Sequence, residues 1–212
     1  MADYTLHCFV QSGNAYKAAL MLTLAKCDWN AVWVDFFNGE TRGPEFRLLN
    51  PMGEVPVLVD HKKGELVITQ SGNMLYHLAG ATGKFKPENE AEEREVLRWI
   101  LWDNHKLTSY VATYRFLRKF ANKEGAPETE FMKGRMLAAL KVLEAHLARH
   151  EWVASDRPTI ADISICGYLF WPQDFSVSWD DYRGIGAWLG RIEKLKYWAA
   201  PEAILPSGPL KA

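Results

Sequence analysis

Cysteine is scarce in this chain. Cys8, Cys27 and Cys166 are the only three in 212 residues, and they stand far apart. No C-x-x-C pair occurs, so neither the spacing of a zinc site nor that of a dithiol redox pair is present. An odd, sparse set of thiols suits a reducing compartment. A surplus of one charge is also missing: 25 Lys and Arg against 26 Asp and Glu leave a formal net charge of -1. Without a basic stripe, nucleic acid and anionic membrane surfaces are poor partners. No stretch approaches the roughly 20 apolar residues of a membrane span. Met1-Ala2-Asp3-Tyr4 has no basic region or apolar run of the kind that opens a signal peptide. The expectation is a cytoplasmic protein that binds no metal, no nucleic acid and no membrane. His146 and His150 are four residues apart, but Leu147 stands where a metalloprotease helix needs glutamate. They read as surface histidines.

The pattern of apolar residues divides the chain. Tyr4 to Val10 reads as a strand, Asn14 to Lys26 as a helix with Ala15, Ala18, Ala19 and Leu22 on one face, and Ala31 to Phe36 as a second strand. A polar loop follows. Val55 to Val59 and Leu66 to Thr69 are the next strands, and Ser71 to Ala79 a helix. The order β-α-β, loop, β-β-α is a complete small α/β unit, assigned to residues 1–81. Residues 82–87 read as a linker, and residues 88–212 as all-helical. In that part, Glu88 to Phe120 reads as one long helix, with Leu97, Ile100, Leu101, Leu107, Val111 and Tyr114 near helical spacing. Helices are also expected over Thr129 to His150, Thr159 to Phe170 and Ile185 to Tyr197.

Three places in the α/β unit have residue types suited to a ligand. Val55-Pro56 opens a strand. Proline has no N–H for a ladder, so one edge of that strand is expected to lie open and accept a peptide-like backbone. Gln70-Ser71 opens an apolar helix, with Ser71 as N-cap, and helix N-termini collect carboxylates. Backbone plus carboxylate describes a small acidic peptide. Ser12, between the first strand and first helix, has two roles open to it. It can cap the helix, or it can donate its hydroxyl proton to a ligand thiolate, which the positive helix end also favours. Asn14 can be a second donor or a capping residue. Arg42, in the polar loop, can pair with a second carboxylate.

In the helical part, Thr159-Ile160-Ala161-Asp162 has the form of a capping box and reads as structural. Asn104, seven residues after Leu97, falls on the apolar stripe, where it or Asp103 lines a crevice or bonds a loop. Tyr110, Tyr114, Phe116 and Trp171 are candidates for an apolar co-substrate wall.

Over essentially its whole length the chain resembles the cytosolic glutathione transferases. Asn50-Pro51-x-Gly53-x-Val55-Pro56 resembles the loop before that family's cis-proline. Thr69-Gln70-Ser71 with Leu75-Tyr76-His77-Leu78 resembles its Ser-containing helix start, and Pro158 to Asp162 its helical-domain capping box. The resemblance implies a thioredoxin-like N-terminal domain, an all-α C-terminal domain and a homodimer. It implies that Pro56 is cis, that Val55 pairs with the cysteinyl unit of glutathione and that Gln70 and Ser71 hold the γ-glutamyl end. Glu54 falls in the same binding loop, and Arg42 near the contact for the glycyl carboxylate. Ser12-Gly13-Asn14-x-x-Lys17 resembles the serine-type signature of theta- and phi-like enzymes, and less closely the Thr-Pro-Asn start of a nu-like bacterial group. The expected activity is a detoxifying transferase that joins glutathione to a hydrophobic electrophile, with Ser12 and Asn14 catalytic. Three alternatives stand beside it: a glutathione-dependent disulfide reductase, a non-catalytic binding protein of the same fold, and isomerase or dehalogenase chemistry that reuses the bound thiolate.

Overall fold

The computed structural model describes residues 2–209. They form two compact units. One runs to Lys86 and is joined by the chain from Leu195 onward, and the other is Pro87–Lys194.

The first unit is a four-stranded mixed sheet flanked by helices. Strand β1 is Tyr4–Cys8, helix α1 Gly13–Leu24 and strand β2 Trp29–Trp33. A 3-10 turn at Glu40–Arg42 leads into α2, Pro44–Leu49. Then come β3 (Val57–Asp60), β4 (Leu66–Thr69) and α3 (Ser71–Thr82). The strand order is β2-β1-β3-β4, with β1 and β2 parallel and the other pairs antiparallel. This is the thioredoxin-like arrangement. All four β3 residues are buried, as are ten of the twelve α1 residues, so the core lies where α1 and α3 cover the sheet.

One expectation is overturned here. β3 is hydrogen-bonded on both sides, to β1 and to β4, so no edge of it lies open. Pro56 lies one residue before the ladder begins and takes no donor from it. The open backbone belongs to Val55, whose N–H and C=O make no hydrogen bond among the described residues.

The C-terminal stretch also differs from the expected 88–212 helical domain. Leu205 and Pro201 are buried in the first unit, where α9 (Pro201–Ile204) packs on α1. The Tyr16 hydroxyl donates to the Ala199 carbonyl at 2.8 Å, and the Val10 N–H to the Pro206 carbonyl at 3.0 Å. Apolar burial and these two bonds hold residues 195–209 away from the helical pattern that precedes them.

The second unit is helical: α4 (Glu90–Trp102), α5 (Thr108–Arg115), α6 (Pro127–Leu147), α7 (Ile160–Cys166) and α8 (Arg183–Glu193). The expected long helix is interrupted twice by π turns, at Asp103–Leu107 and Phe116–Phe120. Each wider turn rotates the following residues around the axis. Leu97 and Leu101, in α4 ahead of both turns, are exposed, and the buried stripe is Val96, Trp99, Ile100, Asp103, Leu107 and Val111. Asp103, not Asn104, faces the core, where its carboxylate accepts from Ser164 at 2.6 Å and Thr108 at 2.7 Å. Asn104 points outward and donates to the carbonyl of Ile100 at 2.9 Å. Both are structural.

The capping box is present. Asp162 accepts from Thr159 N–H (2.8 Å), Val153 N–H (2.9 Å) and Trp188 Nε1–H (2.9 Å). Burial pushes its carboxyl up, and these donors oppose the shift. His146 is half-buried rather than a plain surface residue: its Nε2 meets the Val153 carbonyl at 2.9 Å, and its ring lies between Trp99 and His150. Of the four aromatic candidates, Tyr114 and Trp171 are buried and Phe116 is exposed. Tyr110 lines a cavity of about 230 Å³ with Trp102, Lys106, Arg135 and Val142.

Candidate functional site

Topology gathers the candidate residues of the first unit at one end of the sheet. β1 and β2 are parallel, so their following loops leave at the same end. β3 runs antiparallel to β1, so it begins there, and β4 ends there. Ser12, Asn14, Arg42, Glu54, Val55, Pro56, Gln70 and Ser71 all lie on the segments that meet at this end.

Ser12 is the N-cap of α1. Its backbone is extended (φ -88, ψ 106), and its hydroxyl oxygen accepts from Ala15 N–H at 3.1 Å. The capping role is therefore real. It occupies one lone pair and leaves the hydroxyl proton free to donate. Asn14, in the first turn of the same helix, accepts at Oδ1 from the Ser71 hydroxyl at 3.3 Å. This bond ties the starts of α1 and α3 together across 57 residues of chain.

The start of α3 departs from expectation by one position. Gln70, not Ser71, is the cap residue, with a left-handed backbone at φ 67. That turn swings the chain from β4 into the helix and makes Ser71 the first helical residue, whose N–H has no intrahelical acceptor. The Gln70 side chain donates to Glu54 Oε2 at 3.1 Å and to the Met52 sulfur at 3.2 Å.

The loop before β3 is shaped by Asn50 and Gly53. The Asn50 side chain donates to the Glu54 carbonyl at 2.8 Å and accepts from Met52 N–H at 3.1 Å, closing a tight turn. Gly53 has φ 65, and a Cβ there would lie 2.8 Å from the Thr41 carbonyl oxygen. Only glycine lets this loop lie against the turn that carries Arg42. The Val55–Pro56 bond is cis. Arg42 is exposed and makes no ion pair among the described residues.

Contacts therefore run from Asn14 to Ser71, and, through the adjoining Gln70, to Glu54 and Val55. The arrangement offers a free peptide edge at Val55, unpaired helix N–H groups at Ser71, a free cation at Arg42 and a hydroxyl at Ser12. No group of three or more His, Cys, Asp or Glu side chains suited to a metal occurs among the described residues. Cys8, the cysteine nearest Ser12 in sequence, is buried, and burial pushes its thiol up to about 12, so it is no nucleophile at neutral pH.

Sequence reasoning missed the residues that shape this end of the sheet. Asn50 stood within the Asn-Pro motif but was given no role. Phe36 and Phe37 precede the Asn38-Gly39 turn and were absorbed into the second strand and the polar loop.

Known proteins bear on the same residues. The family model described as glutathione S-transferase, N-terminal domain, matches residues 11–81, and the C-terminal domain model matches residues 105–196. The "Disulfide-bond oxidoreductase YfcG" of Escherichia coli K12 is 26% identical over 160 residues, covering 74% of each chain. "Protein URE2" of Eremothecium gossypii is 27% identical over 154 residues, which are 70% of this chain but 44% of that protein. The chain thus spans less than half the length of the yeast relative. The crystal structure of a glutathione S-transferase from Pseudomonas fluorescens superimposes with a TM-score of 0.87 at 26% identity, over 94% of this chain and 99% of that one.

Proposed function

This chain belongs to the glutathione S-transferase family, and from that premise we propose that it binds glutathione at the strand-end site and uses the thiolate against a hydrophobic electrophile. The observation that carries the reading is the unpaired backbone of Val55, next in the chain to Glu54, whose carboxylate accepts from Gln70 at the start of α3 at 3.1 Å. Val55 N–H and C=O pair with the cysteinyl unit. Ser71, through its N–H and hydroxyl, and Gln70 take the α-carboxylate of the γ-glutamyl end at the positive pole of α3. Glu54 faces the ammonium of that unit, and Arg42 the glycyl carboxylate.

Ser12 supplies the chemistry. Its hydroxyl donates to the sulfur and favours the charged form, helped by the N-terminus of α1. The thiol proton leaves to solvent. The thiolate then attacks an electrophilic carbon, the carbon–sulfur bond forms, and the leaving group departs with the bonding electrons. The protein forms no covalent bond to substrate.

The Escherichia coli relative, which covers three quarters of both chains, favours a second reading on the same site. In it the thiolate attacks a small disulfide, and a second glutathione resolves the mixed disulfide to oxidised glutathione and two thiols. Asn14, bonded to Ser71 at 3.3 Å, is then the principal polar group near the sulfur. A homodimer in the cytoplasm is the assembly and setting that the family resemblance favours. Parallel assays with glutathione plus an aryl halide, and glutathione plus a small dialkyl disulfide, test the proposal. Turnover of the aryl halide supports transfer, and turnover of the disulfide alone supports reduction. Turnover of neither, despite bound glutathione, leaves a binding protein.

A further inference from the structure

The C-terminal segment has no part in the reading above, yet it is bonded on both sides of Ser12. Residues 9–12 form a tight turn in which Ser12 N–H donates to the Phe9 carbonyl at 3.1 Å. Inside that turn Val10 donates its N–H to the Pro206 carbonyl at 3.0 Å. One helical turn past Ser12, Tyr16 N–H donates to the Ser12 carbonyl at 3.0 Å, and the Tyr16 hydroxyl donates to the Ala199 carbonyl at 2.8 Å. The residues two before and four after Ser12 are thus held by one short piece of chain. Phe9, Val10 and Tyr16 are all buried.

That piece is itself fixed along the length of α1. Just beyond the C-terminal end of the helix, the Lys26 ammonium lies over the Tyr197 ring, 5.0 Å from its centroid. In α9, Ala203 N–H donates to the Ala200 carbonyl at 3.0 Å and Leu205 N–H to the Pro201 carbonyl at 2.9 Å. Pro201 and Leu205 are buried. Leu205 is extended (φ -108, ψ 139), the conformation favoured before proline, and leads the chain on to Pro206 beside Val10. The place of the Ser12 hydroxyl is set by the turn before it and the helix after it, and both are bonded to this segment. A hydrogen bond weakens steeply as its angle departs from linear, so a small shift of that hydroxyl reduces what it gives to an acceptor.

We propose that residues 199–206 position the thiolate donor: the Ala199 and Pro206 carbonyls lock the Ser12 turn to the first turn of α1, and Leu205 is the anchor that keeps them there. This inference rests on the reading of Ser12 as donor to the glutathione sulfur, and a double-mutant cycle separates the two. The pH at which bound glutathione ionises is followed by the ultraviolet absorbance of its thiolate, and glutathione affinity by calorimetry. The whole chain is used, as wild type, Ser12→Ala, Leu205→Ala, Leu205→Met and Tyr16→Phe. Leu205→Ala and Tyr16→Phe are each expected to raise the ionisation midpoint by about half a unit, roughly a threefold change in the ionisation constant, with affinity kept within about twofold. Leu205→Met, which keeps the volume of the anchor, is expected to keep the wild-type midpoint. Combined with Ser12→Ala, neither variant adds to the shift of Ser12→Ala, because the donor they position is gone. Tyr16→Phe, which keeps the ring, carries the test if Leu205→Ala does not fold. The same rise on top of Ser12→Ala, or no rise in either variant while Ser12→Ala alone moves the midpoint, overturns the positioning role and leaves Ser12 as donor. An unmoved midpoint in Ser12→Ala, or no binding of glutathione at all, overturns both.

Discussion

Replacing Ser12 by alanine separates two roles that one hydroxyl combines. As the N-cap it accepts from Ala15 N–H at 3.1 Å, and loss of such a cap costs about 1 kcal/mol of stability. As donor to a thiolate it contributes one charge-assisted hydrogen bond, worth roughly 1.5–3 kcal/mol, or about one to two pKa units of the thiol. A free thiol with a pKa near 8.5 is about 3% ionised at pH 7, and one lowered to about 6.5 is roughly three-quarters ionised. The variant is therefore expected to lose about ten- to twenty-five-fold in turnover at pH 7, and much less at pH 9, where the free thiol ionises without help. Glutathione affinity should change little. The assay is a pH profile of turnover, paired with a urea titration that reads the loss of the cap. A variant that unfolds about 1 kcal/mol more easily but keeps its turnover at pH 7 confines Ser12 to capping. The catalytic donor would then be Asn14. A loss of turnover that is equal at all pH values would also refute thiolate stabilisation.

Asp162→Ala removes the acceptor of three buried N–H groups, those of Thr159, Val153 and Trp188. It should cost about 3–5 kcal/mol, read as a large drop in the urea midpoint. Gly53→Ala drives a methyl to within 2.8 Å of the Thr41 carbonyl at a positive φ, so it should destabilise the protein and weaken glutathione binding at least several-fold by calorimetry. His7 and His146 both titrate below the ordinary histidine range, burial being the main cause. The fold therefore binds fewer protons than the unfolded chain. The stability that this provides is complete above the unfolded histidine value, about 6.5, and is lost as pH falls through the lower folded values. The melting temperature should decline from pH 7 to pH 5, and His7→Leu should flatten part of that decline.

Much of the first unit was legible because its signals are local. Leu66–Thr69 is a strand as read and the alanine face of α1 is buried, and in the second unit Thr159 to Asp162 caps as its spacing suggests. Contacts made at a distance were not legible. β3 was expected to have an open edge because proline precedes it, yet it lies inside the sheet, since strand order depends on pairings 50 residues apart that no local pattern encodes. Apolar spacing in α4 does not choose between the face of Leu97 and Leu101 and the buried face of Val96, Trp99 and Ile100, and periodicity, which assumes one constant turn, does not show the π turns at Asp103 and Phe116. At the site, the residue types of Ser12, Gln70 and Ser71 were readable from sequence. The Ser71–Asn14 bond and the left-handed Gln70 were not, because both arise when β1 and β4, on either side of β3, finish at the same end of the sheet.

The most direct test is an amide-resolved NMR titration with glutathione. Saturable shifts at the amides of Val55 and Ser71, with the Ser12 amide moving over the same concentration range, are the predicted result. Saturating glutathione that leaves the Val55 and Ser71 amides unmoved would contradict the assignment of this strand-end site.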